Sequence, residues 1–364
     1  MKANAAHIVI LCSRLDLPGG IERAVVNTAN LFAQQGHTVT LLVLDETDES
    51  FYPLDEKVKL VQQPVSFGIT REGNVFTRKI KLLTDVLKLR KLLKKLQPSL
   101  VIATEYPFAV AAVLSGARKR STVVSWEHHH YHELKRSAFW EKLFRMAYPK
   151  LHAVVCLNSD EQELFRQVNN NPVVIPNFIL PMEQTCTRTK QILTIARLTP
   201  VKGIEYLLNA AKEILPYHPG WTWKLIGDGE LKEEVERFIT EEGLTGLLLL
   251  QPPKDHQVMT EYQQSSLYVM TSVNECFPMT LLEAQAAGLP CIAFDCETGP
   301  RHIINKENGV LVEKGKTDQL CFAIRQLIDT IELRNTLSEG ALANIQRFSP
   351  EAVYTLWEEK VLSL

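Results

Sequence analysis

Two carboxylates and two cations in this chain have the types and spacing to hold a sugar phosphate. In NECFPMTLLEAQAAGLP (274–290), a loop carrying Glu275 runs into a helix that carries Glu283 about one turn inside. Pro278 suits the first helical turn, which leaves the amides around Met279 and Thr280 unpaired and aimed at whatever lies before the helix. A carboxylate accepts hydrogen bonds from two vicinal hydroxyls, so two carboxylates around an anion-binding helix end suit a sugar–phosphate ligand. Taken singly, Glu283 reads equally as a helix N-terminal charge stabiliser and Glu275 as a loop residue. In ARLTPVKG (196–203), a strand ends and a helix starts, so Arg197 and Lys202 fall at the carboxyl end of a sheet. Two cations at a helix N-terminus oppose its dipole, an arrangement that makes sense mainly if an anion such as a diphosphate sits between them. The alternative is a pair of solvated surface charges.

Two further segments belong with these. PGG (18–20) lies between a first strand and a helix beginning near Ile21, where Gly19 and Gly20 would let the backbone approach an anion. It lacks the spacing of the dinucleotide fingerprint and of the Walker loop, so a plain tight turn competes with that reading. SWEHHHYH (125–132) places four histidines, His128, His129, His130 and His132, within five residues after a strand. His128, His130 and His132 could share a strand face as metal ligands, but no second ligand cluster accompanies them.

The elements that must position these residues alternate strand and helix. HIVILCS (7–13), a helix over 21–36 and TVTLLVL (38–44) open a series that continues with a helical 79–96, LVIATE (100–105), a helix over 108–117, STVVSWE (121–127) and LHAVVCLN (151–158). Such alternation implies parallel strands covered by helices. Prolines and polar residues interrupt it in 173–191, and QILTIAR (191–197) starts a second series that runs to GVLVEKG (309–315). We therefore expect an α/β chain of two doubly wound Rossmann-like domains, 1–180 and 181–347, facing a central cleft at the carboxyl ends of their sheets.

Composition narrows the function classes. The 364 residues are 45% hydrophobic and 23% charged, which excludes disordered and fibrous classes. A net charge of -2 gives no bulk case for nucleic acid, yet it conceals 23 basic and 17 acidic residues through Pro176 against 17 and 25 after it. Seven scattered cysteines without a C-x-x-C pair suit a reduced, cytoplasmic chain. The first apolar stretch is too short for a secretory core, and no run approaches a membrane span, so membrane contact would be peripheral, at the inner face of the cell membrane. The helix RKIKLLTDVLKLRKLLKKLQ (78–97) places Leu82, Val86, Leu89, Leu93 and Leu96 on one stripe and Lys81, Lys88, Lys91 and Lys95 on another face. That face is either solvated or meets anionic lipid or the diphosphate of a lipid-linked acceptor.

Along nearly its whole length the chain resembles the retaining GT-B glycosyltransferases of family 4. The motifs that carry the resemblance are, in order, GGIERAVVNTANLFAQQGHTV, IPNFI (175–179), ARLTPVKG, LIGDGEL (225–231), ECFPMTLLEAQAAGLP and NGVLV (308–312). The resemblance implies that Glu283 binds the ribose of a nucleotide sugar and Glu275 the hydroxyls of the transferred sugar. It implies further that Arg197 and Lys202 hold the diphosphate, that Gly19 and Gly20 approach the phosphate, and that Phe277, Pro278, Met279 and Thr280 complete the donor clamp. His128 is implied to contact the donor sugar near the reacting centre, and residues 348–364 to form a helix that crosses back onto the first domain. The loop QPPKD (251–255) departs from the family with Pro252 where a glycine is usual.

The expected function is transfer of a sugar from a nucleoside diphosphate sugar, UDP-linked by preference, to a hydroxyl of a saccharide or lipid-linked saccharide in bacterial surface polysaccharide assembly. No D-x-D motif is present, and no metal or other cofactor is expected. A nucleotide-sugar epimerase of similar fold and an inactive nucleotide-sugar-binding subunit are the competing readings.

Overall fold

The computed structural model describes residues 5–45, 49–67, 75–182, 188–253 and 258–364. Short aliphatic runs such as HIVILC and TVTLLV form strands buried almost throughout, as strands covered by helices on both faces must be. The chain divides into two compact units, Met1–Asn177 with Pro350–Leu364, and Phe178–Ser349.

The first unit contains β1 (His7–Cys12), α1 (Gly20–Gln34), β2 (Thr38–Val43), β3 (Val58–Gln62), α2 (Val75–Leu96), β4 (Leu100–Ala103), α3 (Tyr106–Leu114), β5 (Thr122–Glu127), α4 (Ala138–Ala147), β6 (Ala153–Cys156), α5 (Ser159–Phe165) and β7 (Pro172–Val174). Its strands pair in the order β3-β2-β1-β4-β5-β6-β7, all parallel, with Ile8 opposite Val39 on one side and Leu100 on the other. Strand order reverses at β1, which makes the loop ends of β1 and β4 a topological switch point where open α/β sheets take ligands.

In the second unit β8 (Gln191–Ile195), α6 (Ile204–Ile214), β9 (Thr222–Ile226), α7 (Lys232–Glu241), β10 (Leu248–Gln251), α8 (Val258–Gln264), β11 (Leu267–Met270), α9 (Met279–Ala286), β12 (Cys291–Asp295), α10 (Pro300–Ile303), β13 (Gly309–Glu313), α11 (Thr317–Asp329) and α12 (Ile331–Asn344) follow in turn. The sheet runs β10-β9-β8-β11-β12-β13, again parallel, with its switch point between β8 and β11. Lys202 follows β8, and Glu275 follows β11. Neighbouring strands at a switch point thus deliver the two residues to one place.

The last helix, α13 (Pro350–Trp357), belongs to the first unit. Trp357 is buried edge-on against Phe32, at 5.5 Å between ring centroids, and against Trp126, at 5.4 Å. Tyr354 Oη lies 2.9 Å from His37 Nε2, and Lys360 Nζ donates to the carbonyl of Val174 at 2.9 Å. On α2, Leu82, Val86, Leu89 and Leu93 face the core while Lys81, Lys88, Lys91 and Lys95 are exposed. No helix among the described residues is long and apolar enough to cross a membrane. The six described cysteines are buried and free.

Candidate active site

The geometry of the second unit is fixed by backbone packing before any side chain is considered. Leu198 N donates to Asp228 O at 2.9 Å and Leu231 N to Leu198 O at 3.0 Å, so the loop that carries Arg197 is stitched to the GDG turn after β9. Gly227 lies so close that a Cβ there would stand 1.9 Å from the carbonyl oxygen of Ala196. Gly203, at φ 61°, is wedged in the same way, since its Cβ would meet Thr271 O at 2.0 Å. Thr271 Oγ1 donates to Lys202 O at 3.0 Å, and Val273 N donates to Val201 O at 2.9 Å. These contacts tie the short turn Pro200–Lys202 to the chain leaving β11.

On that base Lys202 Nζ donates to Glu275 Oε1 at 2.5 Å, both side chains being mostly buried. Arg197 stays exposed. Glu275 is held through its own backbone: its N donates to Glu297 O at 3.1 Å, and its carbonyl accepts from Thr298 N and Gly299 N at 2.8 and 2.7 Å. The loop 296–299, which sequence reasoning passed over, therefore sets the height of the carboxylate. Phe277 is anchored edge-on against Phe348 at 5.7 Å. Pro278 sits one position earlier than the first turn, as the N-cap of α9, and no side chain among the described residues caps the helix, so the first amides, at Met279 and Thr280, keep their donors outside the intrahelical ladder. Glu283 is 4% exposed and accepts from Tyr262 Oη at 2.8 Å. Glu283 thus sits buried within α9 with its carboxylate held by Tyr262. Pro252 and Pro253 are exposed beyond β10, while Lys254 and Asp255 of the same motif lie outside the described residues.

In the first unit, α1 begins at Gly20 with Gly19 as N-cap. Glu22 folds over that end: a Cβ on Gly19 would lie 1.9 Å from Glu22 Oε2. A carboxylate thus covers the helix start that the sequence reading gave to a phosphate. After β5, His128 is 8% exposed and packs at a tilt against Trp126, at 4.4 Å between centroids. Its Nε2 is buried and has no hydrogen-bond partner among the described residues. Burial, with a smaller contribution from the neighbouring His129 charge, pushes its pKa down to about 3, so the ring is neutral near pH 7. A buried ring nitrogen without a partner is an expensive arrangement, and a ligand hydroxyl would satisfy it.

Comparison with known proteins supplies the deciding observation. Residues 18–181 match the family described as Glycosyltransferase Family 4, and residues 183–343 match Glycosyl transferases group 1, so the two matches together take in most of the chain. The chain belongs to the GT-B glycosyltransferases. An uncharacterized glycosyltransferase of Haemophilus influenzae is 25% identical over 93% of this chain and 95% of its own. The amylovoran biosynthesis glycosyltransferase AmsD of Erwinia amylovora is 26% identical over 97% of this chain and 98% of its own. Among solved structures, Anabaena Alr3699/HepE in complex with UDP and glucose superposes with a TM-score of 0.77 at 18% identity, covering 99% of this chain and 100% of that one.

Other polar groups of the glycosyltransferase gather at the carboxyl end of the first sheet. His130 Nδ1 donates to Glu161 Oε1 at 2.5 Å, and Tyr131 N donates to Glu161 Oε2 at 3.0 Å, which pins the histidine loop to α5. Glu127 is buried, with Ser125 Oγ and Tyr148 Oη both donating to its Oε1. Burial raises the Glu127 pKa to about 7, against the opposing pull of those two hydrogen bonds. Glu105, after β4, is also pushed up by burial. Among the described residues no three His, Cys, Asp or Glu side chains converge as metal ligands. Lys81, Lys88, Lys91 and Lys95 lie on α2, apart from all of these groups in sequence and on a helix face of their own. Tyr262, Glu161 and the 296–299 loop were missed because each acts from a different element than the motif it supports.

Proposed function

We propose that this glycosyltransferase moves a sugar from UDP to a hydroxyl of a saccharide, with retention at the anomeric carbon and without a metal. The observation that carries the reading is the contact of Lys202 with Glu275 beside the uncapped start of α9: a cation, a carboxylate and free amides in one place. In this reading Glu283, oriented by Tyr262, accepts from the ribose hydroxyls, and Glu275 accepts from hydroxyls of the transferred sugar. Lys202 turns from Glu275 toward the diphosphate when donor binds, joined by Arg197 and by the amides of Met279 and Thr280 behind Phe277 and Pro278. Gly19 and Gly20 approach the phosphate after the Glu22 carboxylate swings away. His128, neutral, accepts from or donates to a sugar hydroxyl through its unpartnered Nε2.

As the bond between the anomeric carbon and the phosphate oxygen breaks, its electron pair goes to the diphosphate. The fixed cations and amides hold that growing charge better than the ground state, which lowers the barrier. The acceptor oxygen bonds to the anomeric carbon from the same face and passes its proton to the departing phosphate oxygen, so atoms and charge balance without a protein base. The name of AmsD and the basic character of the N-terminal half favour a lipid-linked saccharide of bacterial surface polysaccharide assembly as acceptor, met at the cytoplasmic face of the membrane. The test is transfer from UDP-glucose, UDP-galactose and UDP-N-acetylglucosamine to such acceptors in EDTA, with the anomeric configuration of the product read by NMR. Transfer with inversion would sink the retaining step, and transfer restored only by a divalent ion would sink its metal independence.

A further inference from the structure

Between Arg197 and Lys202 stands a hydroxyl that the fold itself does not use. Thr199 N donates to Arg197 O at 2.9 Å, which closes a tight turn over the buried Leu198, and Lys202 N donates to Thr199 O at 3.0 Å. The backbone of Thr199 is therefore bonded to the backbone of each cation-bearing residue. Its side chain makes no such bond: Oγ1 is buried and has no hydrogen-bond partner among the described residues. Thr199 precedes the turn Pro200–Lys202 in an extended conformation, at φ -131° and ψ 155°, a place where a threonine usually accepts from a backbone amide, yet it makes no capping bond there. Pro200 has no N–H to offer it. The backbone cannot relieve the hydroxyl by shifting, because Leu198 is bonded to Asp228 and Leu231 on one side and Val201 O accepts from Val273 N on the other. A β-branched side chain has few χ1 wells, so the hydroxyl is held as well. Burying a hydroxyl without a partner costs stability, which makes such a group a place to look for a ligand.

We propose that Thr199 is a further diphosphate-binding residue, whose Oγ1–H donates to a phosphate oxygen held between Arg197 and Lys202, an assignment that rests on the donor site of the proposed function. An oxyanion suits this hydroxyl better than a sugar hydroxyl would, because hydrogen bonds to a charged acceptor are shorter and roughly twice as strong. The cations on either side raise the local potential for an anion in the same place. Neither carboxylate of the site competes for it, since Glu275 accepts from Lys202 and Glu283 from Tyr262, and Thr199 Oγ1 meets neither. Lys202 is a mobile point charge and Arg197 a long exposed fork. Thr199 adds to them a short neutral donor of fixed direction.

The experiment is calorimetric titration of UDP into wild type, Thr199→Val and Thr199→Ser, with uridine binding to the same three proteins followed by ligand-observed NMR and the thermal unfolding of each measured without ligand. Valine keeps the branched shape and removes the hydroxyl. Thr199→Val should bind UDP roughly 10- to 100-fold more weakly, the range for one hydrogen bond to a charged group, and Thr199→Ser should restore the affinity. Uridine, which lacks the phosphates, should bind all three alike. Ligand-free Thr199→Val should unfold at the wild-type temperature or above it, since the substitution deletes no hydrogen bond of the free protein. Weaker UDP binding beside undiminished stability separates a ligand-binding hydroxyl from a structural one, which would lose both together. UDP binding by Thr199→Val equal to wild type, a matching loss for uridine, a lower unfolding temperature, or no recovery in Thr199→Ser would each overturn the assignment while leaving the nucleotide site around Glu283 standing. Wild type that binds neither UDP nor uridine would overturn both.

Discussion

Lys202 and Glu275 neutralise each other at 2.5 Å, so under the proposed function donor binding exchanges one charge partner for another. Lys202→Ala and Arg197→Ala should each lower turnover by about 10²–10³, the cost of losing one preorganised donor to a developing oxyanion; steady-state rates at saturating donor check this, and an unchanged rate removes the assigned role. Tyr262→Phe should raise the UDP dissociation constant by roughly fivefold while leaving the fold intact, since it deletes one hydrogen bond to the Glu283 carboxylate. Glu127 gives a pH prediction. Its pKa is raised in the folded state to about 7, so its contribution to stability is full below the ordinary carboxylate value and is lost as pH rises through 7. Glu127→Gln should therefore remove that loss and gain on the order of 3 kcal/mol over wild type above pH 7 in urea unfolding. An identical pH dependence in the variant would mean that Glu127 ionises normally. The placement of Arg197, Lys202 and Glu275 after strands, and of Glu283 in the helix that follows, was legible in the sequence because apolar strand runs end just before the charges. Tyr262 and Glu127 were not, because their roles come from burial by elements distant in sequence.

At the scale of elements, the motifs work because backbones touch. Gly227→Ala would push its Cβ into Ala196 O, and Gly203→Ala would push into Thr271 O in a left-handed conformation. Both shifts displace the loops of Arg197 and Lys202, so each should lose donor affinity by at least tenfold and destabilise the chain by about 1–3 kcal/mol. Calorimetry with UDP and thermal unfolding would read both, and wild-type values in either would contradict the packing account. Strand–helix alternation was readable from apolar runs, since both sheets are buried on two faces. β3 escaped because this edge strand mixes charged and apolar residues, VKLVQ, without a clear period. No element was read over 316–347, where α11 and α12 part at Thr330, which turns in an extended conformation. The approach of Glu22 to Gly19 follows from a rotamer that no spacing rule gives.

At the scale of the molecule, the chain leaves its first unit near Asn177 and returns at Pro350, so the two termini of one sheet domain enclose the other unit in sequence. Trp357 fastens that return against Phe32 and Trp126. Trp357→Ala should cost about 3–5 kcal/mol and lower the unfolding temperature of the first unit by roughly 6–15 °C, with the second unit unmoved; calorimetric scanning would show whether one transition or both shift. The excess of basic residues before Pro176 and of acidic residues after it was plain from counting, and the exposure of Leu83 and Leu87 on α2 was not, because it depends on which leucines the sheet takes. The central claim is a nucleotide site built around Glu283 in the second unit. Its most direct test is calorimetric titration of UDP, with GDP for comparison, into wild type and Glu283→Ala in the presence of EDTA. The account predicts micromolar UDP binding to wild type and none to the variant; equal binding to both, or no binding of either nucleotide to wild type even after Mg²⁺ is added, would contradict it.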